Sequence, residues 1–158
     1  SNVFGDVDTL ENMDKIYREN RSNNLIEQFD DALNFMNNLD EGIFTGIITA
    51  SNKEFVVRDL TRLGFPMNKF NYIQTAEDTE FHKPDPRVFD KLKDLEEVAP
   101  EDIIYIGDSR SDFLSSTGAG LKFIGIARDD EGKKVFDDLG AEYIEDFEEL
   151  GIFVETRA

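Results

Sequence analysis

Two aspartates set four residues apart, Asp108 and Asp112, close the stretch Ile103-Ile104-Tyr105-Ile106-Gly107-Asp108-Ser109-Arg110-Ser111-Asp112. Carboxylates brought to one point offer hard oxygen ligands. Mg²⁺ suits such a point, because it takes one or two carboxylates and fills its remaining positions with waters and phosphate oxygens. The apolar, β-branched run before Gly107 predicts a fully buried strand, and Gly-Asp-Ser a turn after it. With a helix opening at Ser111, Asp108 stands at the carboxyl end of the strand and Asp112 in the first helical turn, so both face one small volume. Open α/β sheets hold their ligands at that edge. Local needs account for the same residue types, since aspartate is common in turns and at helix starts, and the pair alone leaves both readings open. A second acidic pair, Asp6 and Asp8, stands in Val3-Phe4-Gly5-Asp6-Val7-Asp8-Thr9-Leu10, behind only two apolar residues.

The elements that must position these groups alternate. Met13, Ile16 and Tyr17 fit a short helix, and Leu25, Phe29, Ala32, Leu33 and Met36 form one apolar helical stripe, ended by Asn37, Asn38 and Asp40-Glu41-Gly42. Ile43 to Thr49 predicts a strand, followed by a helix through Phe55, Val56, Leu60 and Leu63 that Gly64 and Pro66 stop. Tyr72-Ile73-Gln74 is a weaker strand. Pro86 can open a helix whose buried face is Val88, Leu92 and Leu95. After the strand at Ile103 come a helix ending near Gly118-Ala119-Gly120, a strand over Leu121 to Ile126, a helix through Val135, Phe136 and Leu139, and a last strand at Ala141 to Ile144. Strand and helix in this rhythm predict an α/β fold with a parallel sheet covered on both faces. The acidic clusters Asp129-Asp130-Glu131 and Glu145-Asp146 read as solvated surface.

The 158 residues suffice for one domain with a real core. With 35 acidic against 17 basic residues the net charge is −18, a field that repels nucleic acid and anionic membrane surface. A site for a phosphorylated substrate must therefore carry its own cation. The absence of cysteine excludes disulfides, thiolate catalysis and Cys-ligated metals. No apolar run has the length of a membrane span and no secretory signal is visible, so a cytoplasmic location is expected. The oligomeric state has no signature in the sequence.

Thr49 at a strand end, then Lys83 in Lys83-Pro84-Asp85-Pro86, then Gly107-Asp108-Ser109-x-x-Asp112, in that order, resemble the haloacid dehalogenase superfamily. Val98-Ala99-Pro100-Glu101-Asp102 before the strand and Gly118-Ala119-Gly120-Leu121 after the helix resemble its phosphatase branch, of the phosphoglycolate phosphatase type. The likeness extends from about Leu25 to Leu150. It implies a Rossmann-like core, Mg²⁺ as cofactor, and hydrolysis of a small phosphorylated metabolite at the carboxyl edge of the sheet. A receiver domain, which also uses Asp, Thr and Lys, is excluded by order, because here Lys83 precedes Asp108.

Phosphoryl transfer asks a protein mainly to position the group and neutralise its oxygens. On the resemblance, Thr49 and the backbone at Ala50 hold one phosphoryl oxygen, and Lys83 supplies a point charge to the phosphoryl group and its nucleophile. Asp108 is a Mg²⁺ ligand, and Asp112 is a second ligand or the residue that orients Lys83 or a metal water. The resemblance also requires a nucleophilic Asp, itself touching the metal, and two residues later an Asp that acts as general acid and then base. Asp6 and Asp8 have that spacing and are followed by Thr9-Leu10. The pattern departs from the family's in three ways: glycine precedes the first Asp, none follows the second, and the strand before it is short. Residues 14–20 resemble the last helix of the mobile cap that many members insert after this motif. Residues 1–24 are therefore either a degenerate first motif with the cap absent or vestigial, or a cap remnant whose first strand lies upstream, ahead of a core over 25–158. In the first account the chain is a phosphatase. In the second it is an inactive or truncated relative serving as a binding or scaffold module.

Overall fold

The computed structural model describes residues 30–95 and 98–155. In order these form α1 (Asp30–Asn38), β1 (Gly46–Ile48), α2 (Lys53–Arg62), β2 (Tyr72–Gln74), α3 (Asp90–Lys93), β3 (Ile104–Gly107), α4 (Arg110–Gly118), β4 (Lys122–Ile126), α5 (Asp130–Leu139), β5 (Tyr143–Ile144) and α6 (Phe147–Glu155). All strand pairings are parallel: β1 with β2, and β3 with β4 with β5. The α/β class expected from the alternation is the class observed. The segment boundary drawn at residue 24 and the pair Asp6 and Asp8 lie outside the described residues. No helix among those residues is long and apolar enough to cross a membrane.

Successive side chains of a strand point to opposite faces, and β3 divides its residues accordingly. Ile104 and Ile106 join Ile124, Ile144 and Leu150 under α1 and α6, where Phe35 and Phe147 close the layer. Tyr105 points the other way, into the layer built by Phe89, Leu92 and Leu121 and into that of Phe123 and Phe136. Both faces of the sheet are thus covered, as parallel strands require. The N-terminus of α1 is fixed at the carboxyl rim, where the Asp31 carboxylate accepts from both terminal nitrogens of Arg128 at 3.1 and 3.0 Å and from the backbone N–H of Phe147 at 2.8 Å.

Several local expectations change. The predicted helix after Pro86 is a 3₁₀ turn, Pro86–Phe89, leading into the single-turn α3. Helix α6 is an addition, because its acidic start hid the apolar face that buries Leu150. Asp129 is not merely solvated: its side chain accepts the Gly132 N–H at 2.7 Å and caps α5.

The larger difference concerns the sheet. Among the described residues β1 and β3 do not pair with each other. Residues of both line one cavity of about 800 Å³ toward their carboxyl ends and another of about 500 Å³ toward their amino ends. Ile104, Tyr105 and Ile106, predicted to be fully buried, are only half-buried. Among the described residues β3 pairs on one side only, with β4.

Packing within the triple-stranded sheet is tight at Gly125. A Cβ placed there stands 2.6 Å from a ring carbon of the fully buried Phe136. Gly125→Ala is expected to lower stability by about 1–3 kcal/mol, read as a lower urea midpoint with an unchanged slope.

Candidate active site

Helix α4 is built to hold Asp112. Ser109 is its N-cap, accepting the Asp112 N–H on Oγ at 3.2 Å, and Asp112 Oδ2 accepts in return from the Ser109 N–H at 3.2 Å and the Ser109 hydroxyl at 2.8 Å. This reciprocal capping satisfies donors that a helix start otherwise leaves free. The N–H of Asp108 also donates to Oδ2, at 3.1 Å. Glycine is needed at 107 because a Cβ there would lie 2.4 Å from Cβ of Asp112. Gly107, Ser109 and Asp112 are therefore one device, and the Ser-x-x-Asp spacing is its signature in the sequence.

The other oxygen of Asp112 meets Lys83. Lys83 Nζ lies 2.5 Å from Asp112 Oδ1, with the two side chains 19% and 6% exposed. Three contacts deliver the lysine across 29 residues of sequence. Gln74, buried at the end of β2, donates from Nε2 to the Val88 carbonyl at 2.8 Å, tying the sheet to the turn that follows Lys83. Asp85 caps that turn by accepting the Arg87 N–H at 2.9 Å. Pro86 rests on α4 at Gly118, where a Cβ would come within 2.7 Å of its ring. The Lys83–Pro84 peptide bond is cis.

Tyr105 completes the cluster and went unremarked in the sequence, where it reads as one more strand residue. Its hydroxyl lies 3.2 Å from Lys83 Nζ, 3.3 Å from Asp112 Oδ1 and 3.4 Å from the Ile48 carbonyl oxygen. The signal that could have found it is a polar hydroxyl within an otherwise aliphatic run.

Burial sets the electrostatics here, and charge pairing answers it. Burial alone would raise the Asp112 carboxyl, but the Lys83 ammonium and the hydrogen bonds from Ser109 and Asp108 hold it below the ordinary carboxylate value. Burial alone would lower Lys83, yet the Tyr105 oxygen and the Asp112 carboxylate leave it above the ordinary lysine value. Burial pushes the Tyr105 hydroxyl up to about 12, so it stays protonated at neutral pH.

Thr49 sits one residue beyond β1. Its N–H donates to the Gln74 carbonyl at 3.0 Å, and Oγ1 accepts the Ser51 N–H at 3.1 Å, which leaves the hydroxyl proton to donate elsewhere. Ala50 is exposed beside it. Asp108 is exposed one residue beyond β3 and lines the 800 Å³ cavity with Lys83 and Asp112. Among the described residues its carboxylate takes no hydrogen bond or ion pair, so it remains free to bind a cation. Both oxygens of Asp112 accept hydrogen bonds, Oδ1 from Lys83 and Oδ2 from Ser109 and the Asp108 N–H, and the first of these contacts orients Lys83. No group of three or more potential ligand side chains forms among the described residues. One free carboxylate beside a roomy cavity still fits Mg²⁺, which is often held by one or two carboxylates plus waters and substrate oxygens.

The family model of the haloacid dehalogenase-like hydrolases matches residues 3–126. The chain belongs to that family. Among curated proteins, pyrophosphatase PpaX of Bacillus mycoides is 24% identical over 89% of this chain and 67% of its own length. A protein of Caldanaerobacter subterraneus assigned as a PpaX pyrophosphatase is 34% identical over 55% of this chain and 39% of its own length. The chain thus spans between 39% and 67% of these two relatives. A solved structure from Bacteroides fragilis, assigned to the haloacid dehalogenase-like hydrolases, superposes with a TM-score of 0.70 at 27% identity, over 90% of this chain and 69% of that one. YfnB of Bacillus subtilis, assigned to the same hydrolases and bound to magnesium, superposes with a TM-score of 0.69 at 25% identity, over 80% of this chain and 55% of its own.

The ion pair makes stability depend on pH in a definite direction. Because the Asp112 carboxyl is held low, its contribution is present above the ordinary carboxylate range and is lost as pH falls through the folded-state value. Because Lys83 is held high, its contribution is present below the ordinary lysine value and is lost as pH rises through the folded-state value. Asp112→Asn is expected to cost about 3 kcal/mol near neutrality and to flatten both limbs of a stability–pH profile measured by urea unfolding.

Proposed function

We propose that this chain carries the phosphoryl-handling core of a Mg²⁺-dependent phosphatase that hydrolyses a small phosphorylated metabolite through an aspartyl-phosphate. The observation that carries the reading is the Lys83–Asp112 pair, set at the carboxyl rim of parallel strands beside the free carboxylate of Asp108. A lysine confined there by a buried carboxylate is more than a surface charge.

Each residue has a task. Thr49 donates its hydroxyl, and the backbone at Ala50 its N–H, to one phosphoryl oxygen. Lys83 directs charge at a second oxygen and at the nucleophile, with Asp112 holding its direction. Asp6 attacks phosphorus in line, forming a P–O bond while the bond to the leaving oxygen breaks. Asp8 protonates that oxygen and then takes a proton from the water that hydrolyses the aspartyl-phosphate. Asp108, together with Asp6, would hold Mg²⁺, which when bound neutralises charge on the phosphoryl oxygens. The charges favour this arrangement. Lys83 with Asp6, Asp108 and Asp112 carries a net −2, which repels a phosphate, whereas a divalent ion neutralises the cluster.

The names of the PpaX relatives make inorganic pyrophosphate the first substrate to try, beside a generic phosphomonoester. Turnover is expected with Mg²⁺ and not with a chelator. Asp108→Asn and Lys83→Met should each reduce kcat by roughly a hundredfold, and Asp6→Asn should abolish it. Turnover indifferent to Mg²⁺, or unchanged by any of the three substitutions, would overturn the mechanism. A second reading, a module that binds Mg²⁺ or phosphate without turnover, is supported by the departures of the Asp6–Asp8 stretch from the family's pattern, glycine before the first Asp and none after the second. Phosphate binding in calorimetry without hydrolysis decides for it.

A further inference from the structure

Tyr105 is the buried polar group whose chemistry the roles above leave unused. It stands in β3 between Ile104 and Ile106, where a phenylalanine would pack as well, and a hydroxyl taken out of water is costly unless it is bonded. Here it has three partners, and they belong to three different parts of the site. Lys83 Nζ at 3.2 Å comes from the loop after β2, Asp112 Oδ1 at 3.3 Å from α4, and the Ile48 carbonyl at 3.4 Å from the residue before Thr49. Among the described residues no other hydrogen bond joins β1 to β3.

The donor count gives the arrangement direction. An ammonium has three N–H groups and no acceptor, whereas a phenol accepts and donates one proton. Asp112 Oδ1 takes one N–H of Lys83 and the Tyr105 oxygen takes a second. Because the phenol accepts from Lys83, its own proton is given to the Ile48 carbonyl or to Asp112. One N–H of Lys83 remains. With Asp112 as sole partner, the ammonium would pivot at the end of a flexible four-carbon stem. With the phenol as a second fixed point, the direction of the third N–H is set. The ring itself is held edge-on against the fully buried Phe89, with centroids 4.9 Å apart at 80°, and the ammonium lies 5.8 Å from its centroid.

We infer that Tyr105 is a positioning residue: its hydroxyl bridges the carboxyl end of β1 to Lys83 and aims the remaining N–H of that lysine at a phosphoryl group held beside Thr49. It donates no proton to the reaction. The role rests on the phosphatase reading for its consequence in turnover, but the geometric claim about Lys83 stands apart from it.

The test is Tyr105→Phe in the full chain, which keeps the ring and removes the oxygen. Two readouts are taken: the ¹H–¹⁵N signal of the Lys83 ammonium, identified by its loss in Lys83→Met, and kcat and KM for inorganic pyrophosphate with Mg²⁺. The wild-type ammonium is expected to give a resolved signal that Tyr105→Phe broadens away. The kcat should fall about tenfold with KM changed less than about twofold, because the interaction acts on the transferring group. Phe89→Leu, which disturbs the packing of the ring but leaves the hydroxyl, should lower the unfolding temperature and retain the signal. A Tyr105→Phe protein with the Lys83 signal at its wild-type position overturns the assignment, as does loss of that signal in both variants. If the wild type turns nothing over, the phosphatase reading fails and the Lys83 signal alone decides the role of Tyr105.

Discussion

The contact on which the structure around the site depends is the ion pair of Lys83 with Asp112. Taking two charges out of water costs several kcal/mol per ion before any attraction is counted, and a largely buried pair persists only where geometry and extra hydrogen bonds offset that cost. The surrounding residues serve that requirement. Ser109 and the Asp108 N–H satisfy the outer oxygen of Asp112, Gly107 makes room for its side chain, and Tyr105 shares the ammonium. On the lysine side, Gln74, Asp85 and the Pro86–Gly118 contact hold the backbone. Residues that look like separate motifs are parts of one solution to a desolvation problem.

The same pair explains the chemical character of the rim. Across the chain the charge is −18, so an anion approaches against the field. Lys83 does not overcome this, because Asp112 neutralises it. What the pair supplies is direction, and it adds no net positive charge of its own. At the same rim an exposed carboxylate, Asp108, stands beside the buried one, Asp112.

Beneath the rim lies the slot between β1 and β3. Among the described residues the two strands do not pair across it, and Ile104, Tyr105 and Ile106 of β3 are half-buried. Tyr105 reaches across, so the two halves of the sheet share a polar contact as well as the apolar layer around Phe89.

Much of this was legible in the residues. The alternation of strands and helices dictated the parallel α/β class, because short apolar runs separated by helical stripes have few other ways to bury their faces. The order of Thr49, Lys83 and Gly107-Asp108-Ser109-x-x-Asp112 was enough to gather the site at one edge, since strand ends in a parallel sheet share a side. Sequence alone could not divide labour within that site. Asp108 and Asp112 are the same residue type four positions apart, and only their neighbours in space leave one exposed and make the other a buried counter-ion. Nor could it show that Tyr105 has polar work, because a hydroxyl in a strand is silent until its partners, one 22 residues before it and another 57, arrive. Burial of β3 was misjudged for the same reason. Hydropathy reports what a strand would gain from full burial, whereas the burial it reaches is decided by packing.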